Sequence, residues 1–276
     1  MSTSQVKSGF VNVGNAKIYY EIAGTGMPFV MIHAGVADRR QWNHEFAYFA
    51  QSYQVLRYDM RGYGNSEPAA GEFSHLSDLV SLLDALDIHE PLILMGCSMG
   101  GGLAMDFALT YPSKVRALIM VGSGPGGLEL DIEPPSKFAE VEKAFEAGDL
   151  DLVAELETQI WFDGTGRAPE QVNETMRKLL YEMNRLALAH EAKQLGKRLP
   201  NTEVSAADYL ADLDIPVLIV VGSHDTSYIL AAANYMEEKI KGAKKVMIED
   251  AAHLPNMEHP EEFQKIVQDF LASLPE

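Results

Sequence analysis

Pro91-Leu92-Ile93-Leu94-Met95-Gly96-Cys97-Ser98-Met99-Gly100 reads as an apolar strand that runs into Gly-x-Ser-x-Gly, with a helix-forming stretch behind it. Strand, tight turn and helix in that order make a nucleophile elbow. The turn is so sharp that the serine backbone is held under strain. Gly96 and Gly100 carry no Cβ to collide where strand and helix come together. The arrangement exposes the Ser98 hydroxyl at the strand's C-terminal edge, above a helix N-terminus. An attacking oxygen and a developing negative charge are both served there. The plain alternative is a glycine-rich turn with a solvated serine. The motif therefore gains weight only if chemical partners follow in order.

They do follow. Pro216–Val221 is a wholly apolar run that predicts a buried strand, and it ends in Gly222-Ser223-His224-Asp225. A further short strand, Lys245–Ile248, leads to Glu249-Asp250-Ala251-Ala252-His253. The chain order is thus Ser98, Asp225, His253. Each residue lies where a strand hands over to a loop, and in a parallel sheet those ends face one crevice.

Four segments make the chain resemble the α/β-hydrolase superfamily along nearly all its length. They are Ile32-His33-Ala34-Gly35-Val36-Ala37-Asp38 with Trp42; Tyr58-Asp59-Met60-Arg61-Gly62-Tyr63-Gly64-Asn65-Ser66; the elbow; and Ala252-His253-Leu254-Pro255-Asn256-Met257-Glu258-His259-Pro260. The expected fold class is α/β: a mostly parallel, doubly wound sheet with an inserted helical cap. The alternation of the remaining segments agrees. A hairpin is predicted around Gly14-Asn15, strands over Pro28–His33, Gln54–Tyr58 and Val115–Val121, and helices over Asp38–Ala50, Leu76–Leu86, Met99–Leu109, Ile229–Lys241 and Glu261–Leu274. Between Gly124 and Asp212 the strand rhythm stops. Helical patterns over Ser136–Ala147, Leu150–Phe162 and Pro169–Arg198 take its place. The expected division is a hydrolase core of residues 1–123 and 213–276, and a cap or lid of residues 124–212 that sets substrate shape.

Composition narrows the partners. The 276-residue chain has a formal net charge of -18, which argues against nucleic acid. No segment has the length and apolarity of a membrane span, and the start, Met1–Gly9, shows no apolar signal core. Cys97 is the single cysteine, so an intrachain disulfide is impossible and a cytoplasmic location is expected. Cys97 itself reads as a small buried hydrophobe. No His/Cys cluster has ligand spacing, so neither a metal nor a cofactor is expected. The oligomeric state is left open.

A serine hydroxyl needs a base during attack. His253 suits that role, and a buried Asp225 would hold its tautomer. The oxyanion donors expected are the N–H groups of Met99, directly after the serine, and of Gly35. The resemblance places the second donor in the loop after the third strand. His33 should brace that loop. Asp250 is the rival acid; His224 and His259 are read as bystanders and Asp59 as structural. Trp161, Leu254 and Arg39 are the candidate pocket residues.

The cap's charge is uneven. Ser136–Asp163 carries eight acids and two bases, whereas Gly164–Leu199 carries seven bases and four acids. A basic wall for a carboxylate-bearing substrate competes with a solvated, ion-paired helix face. Serine at the elbow favours acyl transfer to water. The leading expectation is a carboxylesterase acting on small to medium, largely apolar esters. An enol-lactonase or meta-cleavage C–C hydrolase is the alternative, with Arg39, Arg40 and Arg185 as possible carboxylate receivers. A ligand receptor on the same fold is a distant third.

Overall fold

The computed structural model describes residues 6–68 and 71–274; residues 1–5, half of the stretch read for a signal core, lie outside them. The chain opens with the hairpin β1 (Lys7–Val13) and β2 (Ala16–Ala23), turned at Gly14-Asn15. The wholly buried β3 (Pro28–Ile32) follows. Asp38 then caps a short 3-10 turn, Arg39–Trp42, through its side chain, and α1 spans Asn43–Phe49. The single helix expected from Asp38 to Ala50 is thus split at Trp42. β4 (Gln54–Tyr58), β5 (Gly71–Phe73) and α2 (His75–Ala85) lead to β6 (Leu92–Cys97) and α3 (Met99–Thr110). β7 (Val115–Val121) closes this half.

Three helices come next: α4 (Lys137–Glu146), α5 (Leu150–Thr158) and α6 (Glu174–Glu191). After them come β8 (Gly196–Arg198), β9 (Val217–Gly222), α7 (Ser227–Lys239), β10 (Lys244–Ile248), α8 (Pro255–Glu258) and α9 (Pro260–Ala272). The eight-stranded sheet runs β1-β2-β4-β3-β6-β7-β9-β10. Only the β1–β2 and β2–β4 pairings are antiparallel. From β3 the chain steps outward to β4, then returns to lay β6 on the other side. The crevice of the fold therefore opens at the C-terminal ends of β3 and β6.

Side-chain alternation along the central strands feeds two apolar layers. Leu92 and Leu94 of β6 pack with Leu79 and Leu82 of α2 and Phe107 of α3. Ile93 and Met95 face the other way, toward Trp42, Phe46 and Phe263. Phe162, Leu180 and Met183, from the stretch between β7 and β9, join that second layer. The same stretch also holds a small cluster of its own around Val153, Leu156 and Leu188. Among the described residues, no helix is long and apolar enough to cross a membrane.

Two expectations for this stretch are corrected. The helix expected over Leu150–Phe162 ends at Thr158 and widens into a π-helical turn, Gln159–Asp163. Its Thr158 hydroxyl bonds back to the Ala154 carbonyl, competing with the helix ladder. The helix expected to reach Arg198 starts only at Glu174, capped by Asn173, and stops at Glu191. Gly196–Arg198 is instead a strand, paired in parallel with Gly71–Phe73. A three-residue strand with two cations has no period to read, and its partner lies far away in sequence.

Candidate active site

Ser98 follows β6 with φ 52° and ψ −117°, a left-handed conformation worth about 1–3 kcal/mol of strain in a non-glycine residue. The turn is held by backbone bonds: Ser98 N–H donates to the Val121 carbonyl at 2.9 Å, and Ser123 Oγ donates to the Ser98 carbonyl at 2.9 Å. A Cβ on Gly96 would land on the Gly100 carbonyl, and one on Gly100 would sit 2.5 Å from the carbonyls of Ile32 and His33. Strand and helix meet this closely only because both positions are glycine.

Asp225 and His253 form a buried pair. His253 Nδ1 lies 3.0 Å and 2.9 Å from the two Asp225 carboxylate oxygens, and both residues are almost fully excluded from solvent. Thr226 N–H also donates to Asp225 Oδ1 at 2.7 Å. With the carboxylate on Nδ1, the ring proton sits there and Nε2 carries the lone pair. Nε2 is buried and makes no hydrogen bond, so the Ser98 hydroxyl stands outside bonding geometry with it in this structure. The rival acid Asp250 faces solvent, with its side chain 89% exposed, 3.7 Å from His224. Gly122 at the end of β7 was not singled out from sequence. It has φ 49°, and a Cβ there would come within 2.5 Å of the His253 carbonyl and 3.4 Å of Asp225 Oδ2.

The loop after β3 is braced twice. Met60 N–H donates to His33 Nε2 at 2.9 Å, so the His33 proton sits on Nδ1, where it reaches the Ala34 carbonyl at 2.8 Å. Burial pushes the His33 imidazole down to about 4, which keeps it neutral. Ala34 N–H donates to Gln41 Oε1 at 2.9 Å. Gln41 bonds in turn to Asn256, whose amide reaches the Gln41 carbonyl at 3.0 Å and Glu45 Oε2 at 3.2 Å. Burial drives the Glu45 carboxyl up to about 8. This chain of polar groups ties the Gly35 loop to the turn after His253. Its members are up to 215 residues apart in sequence, so no spacing rule could have announced it.

The stretch between β7 and β9 docks directly on the imidazole. Trp161, in the π-helical turn, stacks on His253 with ring centroids 4.4 Å apart, and its carbonyl accepts the His253 N–H at 3.2 Å. Arg167 secures the same turn. It donates to the carbonyls of Phe162 and Asp163 and pairs with Glu258 at 2.8 Å, while Glu258 accepts from Ala252 N–H.

Two cavities meet at Met99, Arg198 and His75. One, of about 550 Å³, lies between Gly35–Val36 and α6. The other, of about 360 Å³, is lined by Ser98, Gly102, Asp106 and Leu199–Asn201. The candidate pocket residues need correction, since none of the three lines either cavity. Leu254 is fully buried in the core. Arg39 is consumed by Glu21 and Asp59, at 2.9 Å and 2.8 Å. Trp161 covers His253 and packs on Phe138. Arg40 is paired with Asp38, Arg177 with Glu155 and Asp163, and Arg185 with Asp151. Arg198 is the basic residue of this stretch that reaches both cavities, with Nη1 2.8 Å from Met99 Sδ. Burial pushes the Cys97 thiol up to about 12 and leaves it inert. Among the described residues, no group of three His, Cys, Asp or Glu side chains is arranged to hold a metal.

Fold and site together define a hydrolase of the α/β family. The chain belongs to the α/β-hydrolase fold family, whose model matches residues 27–260. It is 30% identical over 251 residues to a pimeloyl-[acyl-carrier protein] methyl ester esterase of Aeromonas hydrophila, covering 90% of this chain and 96% of that protein. It is 26% identical to a 2-hydroxy-6-oxononadienedioate/2-hydroxy-6-oxononatrienedioate hydrolase of Paraburkholderia xenovorans, over 98% and 97% of the two chains. Among solved structures it superposes on Est816, an N-acyl homoserine lactone degrading enzyme, with a TM-score of 0.76, 25% identity, and coverage of 95% and 100%.

Proposed function

We propose that the protein is a carboxylic-ester hydrolase in which Ser98 is the nucleophile, His253 the base and Asp225 the acid that orients it. The observation that carries this reading is the buried Asp225–His253 pair, with both carboxylate oxygens on Nδ1. That contact leaves Nε2 as a lone-pair acceptor, walled off from water by Trp161. On substrate binding the Ser98 hydroxyl turns onto Nε2, as catalytic hydrogen bonds that are loose in a free enzyme tighten in its complexes. Oγ attacks the ester carbonyl while Nε2 takes its proton. The C=O π pair moves onto oxygen, which Met99 and Gly35 N–H groups receive. Ala34 N–H is already spent on Gln41, in keeping with Gly35, two residues after His33, as the donor of that loop. Collapse expels the alcohol, protonated by His253, and leaves an acyl-serine. Water, deprotonated by the same imidazole, then releases the acid.

In this reading residues 124–212 form a cap over a core of residues 1–123 and 213–276. The substrates are small to medium esters without a charge at the reacting centre. A panel of p-nitrophenyl esters tests it: the wild-type chain turns over the short esters and Ser98→Ala does not. Turnover that survives Ser98→Ala overturns it.

One observation favours a second reading, an anionic lactone or dienone as substrate. The Arg198 guanidinium stands over Met99, next to the nucleophile. The same panel, extended with carboxylate-bearing lactones and dienones, separates the two.

A further inference from the structure

Helix α3 connects the nucleophile to a third cavity. The cavity at Ser98 follows one face of the helix through Met99, Gly102, Leu103 and Asp106, the i, i+3, i+4, i+7 spacing of a single stripe. A Cβ on Gly102 would meet nothing within 4 Å, so the stripe is open there. Asp106 also lines a cavity of about 640 Å³ that continues along the stripe to Leu109 and Thr110. Asn201 is the other residue common to both. The two shared residues are bonded to each other, Asn201 Nδ2 to Asp106 Oδ2 at 2.9 Å. Asn201 is otherwise held by a long 3.3 Å contact from Leu76 N–H.

The third cavity differs in character from the first. Arg61, Glu157, Glu191 and Arg198 give the 550 Å³ cavity a charged wall. The 640 Å³ cavity is walled mainly by Leu76, Leu109, Pro112, Val204, Tyr209 and Leu213. Val204 and Tyr209 are 55% and 44% exposed, a poor use of large apolar side chains unless something covers them. At 1.5 Å per residue, Asp106 lies about 12 Å and Thr110 about 18 Å along the helix from Ser98.

We propose that this groove receives the distal end of a long apolar chain on the substrate whose ester sits at Ser98, and that the Asn201–Asp106 bond is the gate such a chain displaces. The occupant follows from the continuity of the groove with the nucleophile's cavity and from its apolar wall. The inference rests on the esterase reading and extends its substrate class to long-chain acyl esters. Short chains end before the gate, and only long ones gain from what lies beyond it.

The test compares kcat/KM for p-nitrophenyl butyrate and p-nitrophenyl palmitate, whose extended chain is long enough to pass the gate and run the length of the groove. Thr110→Trp fills the groove from an exposed position at the end of α3, and Val204→Glu puts a charge in it from an exposed loop. Both should lower palmitate turnover by about tenfold while leaving butyrate unchanged. Asn201→Ala should raise palmitate relative to butyrate. Identical chain-length profiles in all four proteins overturn the groove and leave the esterase reading standing, because butyrate is still cleaved. Loss of both activities in wild type overturns the esterase reading, and the groove with it. A change in mass by light scattering without a change in profile marks the groove as a contact between copies of the chain, and also overturns the proposal.

Discussion

The two sides of Ser98 are built on opposite plans. The His253 side is sealed: Asp225 and His253 form a buried pair under Trp161, and beside them Gln41, Asn256 and Glu45 are buried in a hydrogen-bonded chain of their own. On the Met99 side the walls are open and charged, with Arg198 held by a three-residue strand and, among the described residues, without a carboxylate partner. The sealed side has the rigidity that the proposed proton transfer and oxyanion site demand. The open side can change without disturbing the sealed one, which in this proposal is where substrate preference is free to evolve.

If the sealed side carries the chemistry, Asp225→Asn should give the largest effect. It reverses the tautomer at His253 and lowers kcat by about 10⁴-fold, whereas Asp250→Asn leaves ester turnover near wild type. Steady-state kinetics on the two variants would break the comparison if they behaved alike.

The next effect is on stability. Glu45 has an ordinary value of 4.5 and is raised to about 8 by burial, so between these values the folded chain holds a proton that the unfolded chain has released. Stability therefore falls as pH rises through that window and is flat above it. Glu45→Gln should remove about 5 kcal/mol of that decline. Urea unfolding of wild type and variant across the window, taken as a difference, isolates Glu45 from Asp59, which burial also raises, to about 6.

Gln41→Ala probes the link between the sealed side and the oxyanion loop. It frees Ala34 N–H and loosens Gly35. A buried donor left unsatisfied costs about 1–3 kcal/mol, so kcat should fall by about tenfold or more with KM little changed. A KM effect alone would place Gln41 in substrate binding.

The smallest effect belongs to the open side. Arg198→Ala should raise KM for a carboxylate-bearing substrate by about tenfold, the size of one partly solvated charged hydrogen bond, and leave neutral esters unaffected. Equal losses on both substrates would mean that Arg198 merely props Met99.

The sealed side was largely legible in the sequence. Its strands are unbroken apolar runs, and the proposed triad residues sit at strand ends in a recognisable order, so Ser98, Asp225 and His253 could be named as candidates by number. The Gln41–Asn256–Glu45 chain was not legible, because hydrogen bonds between distant segments leave no periodic trace. Gly122 was visible only as a glycine after a strand; its close approach to His253 depends on packing across the sheet. The open side was the least legible. Cation counts allowed a basic wall but favoured an ion-paired helix face, and Arg167, Arg177 and Arg185 are indeed paired with carboxylates. Arg198 stands apart because β8 pairs with Gly71–Phe73, a contact that no local propensity announces.

The most direct measurement is the mass of the intact protein and of its peptides after exposure to a fluorophosphonate, a reagent that labels only an activated serine hydroxyl. A single adduct on Ser98 is expected, absent from Ser98→Ala and formed orders of magnitude more slowly in His253→Ala. An unlabelled wild-type chain, or labelling of Ser98 at the same rate without the imidazole, would contradict the assignment of His253 as the base that activates it.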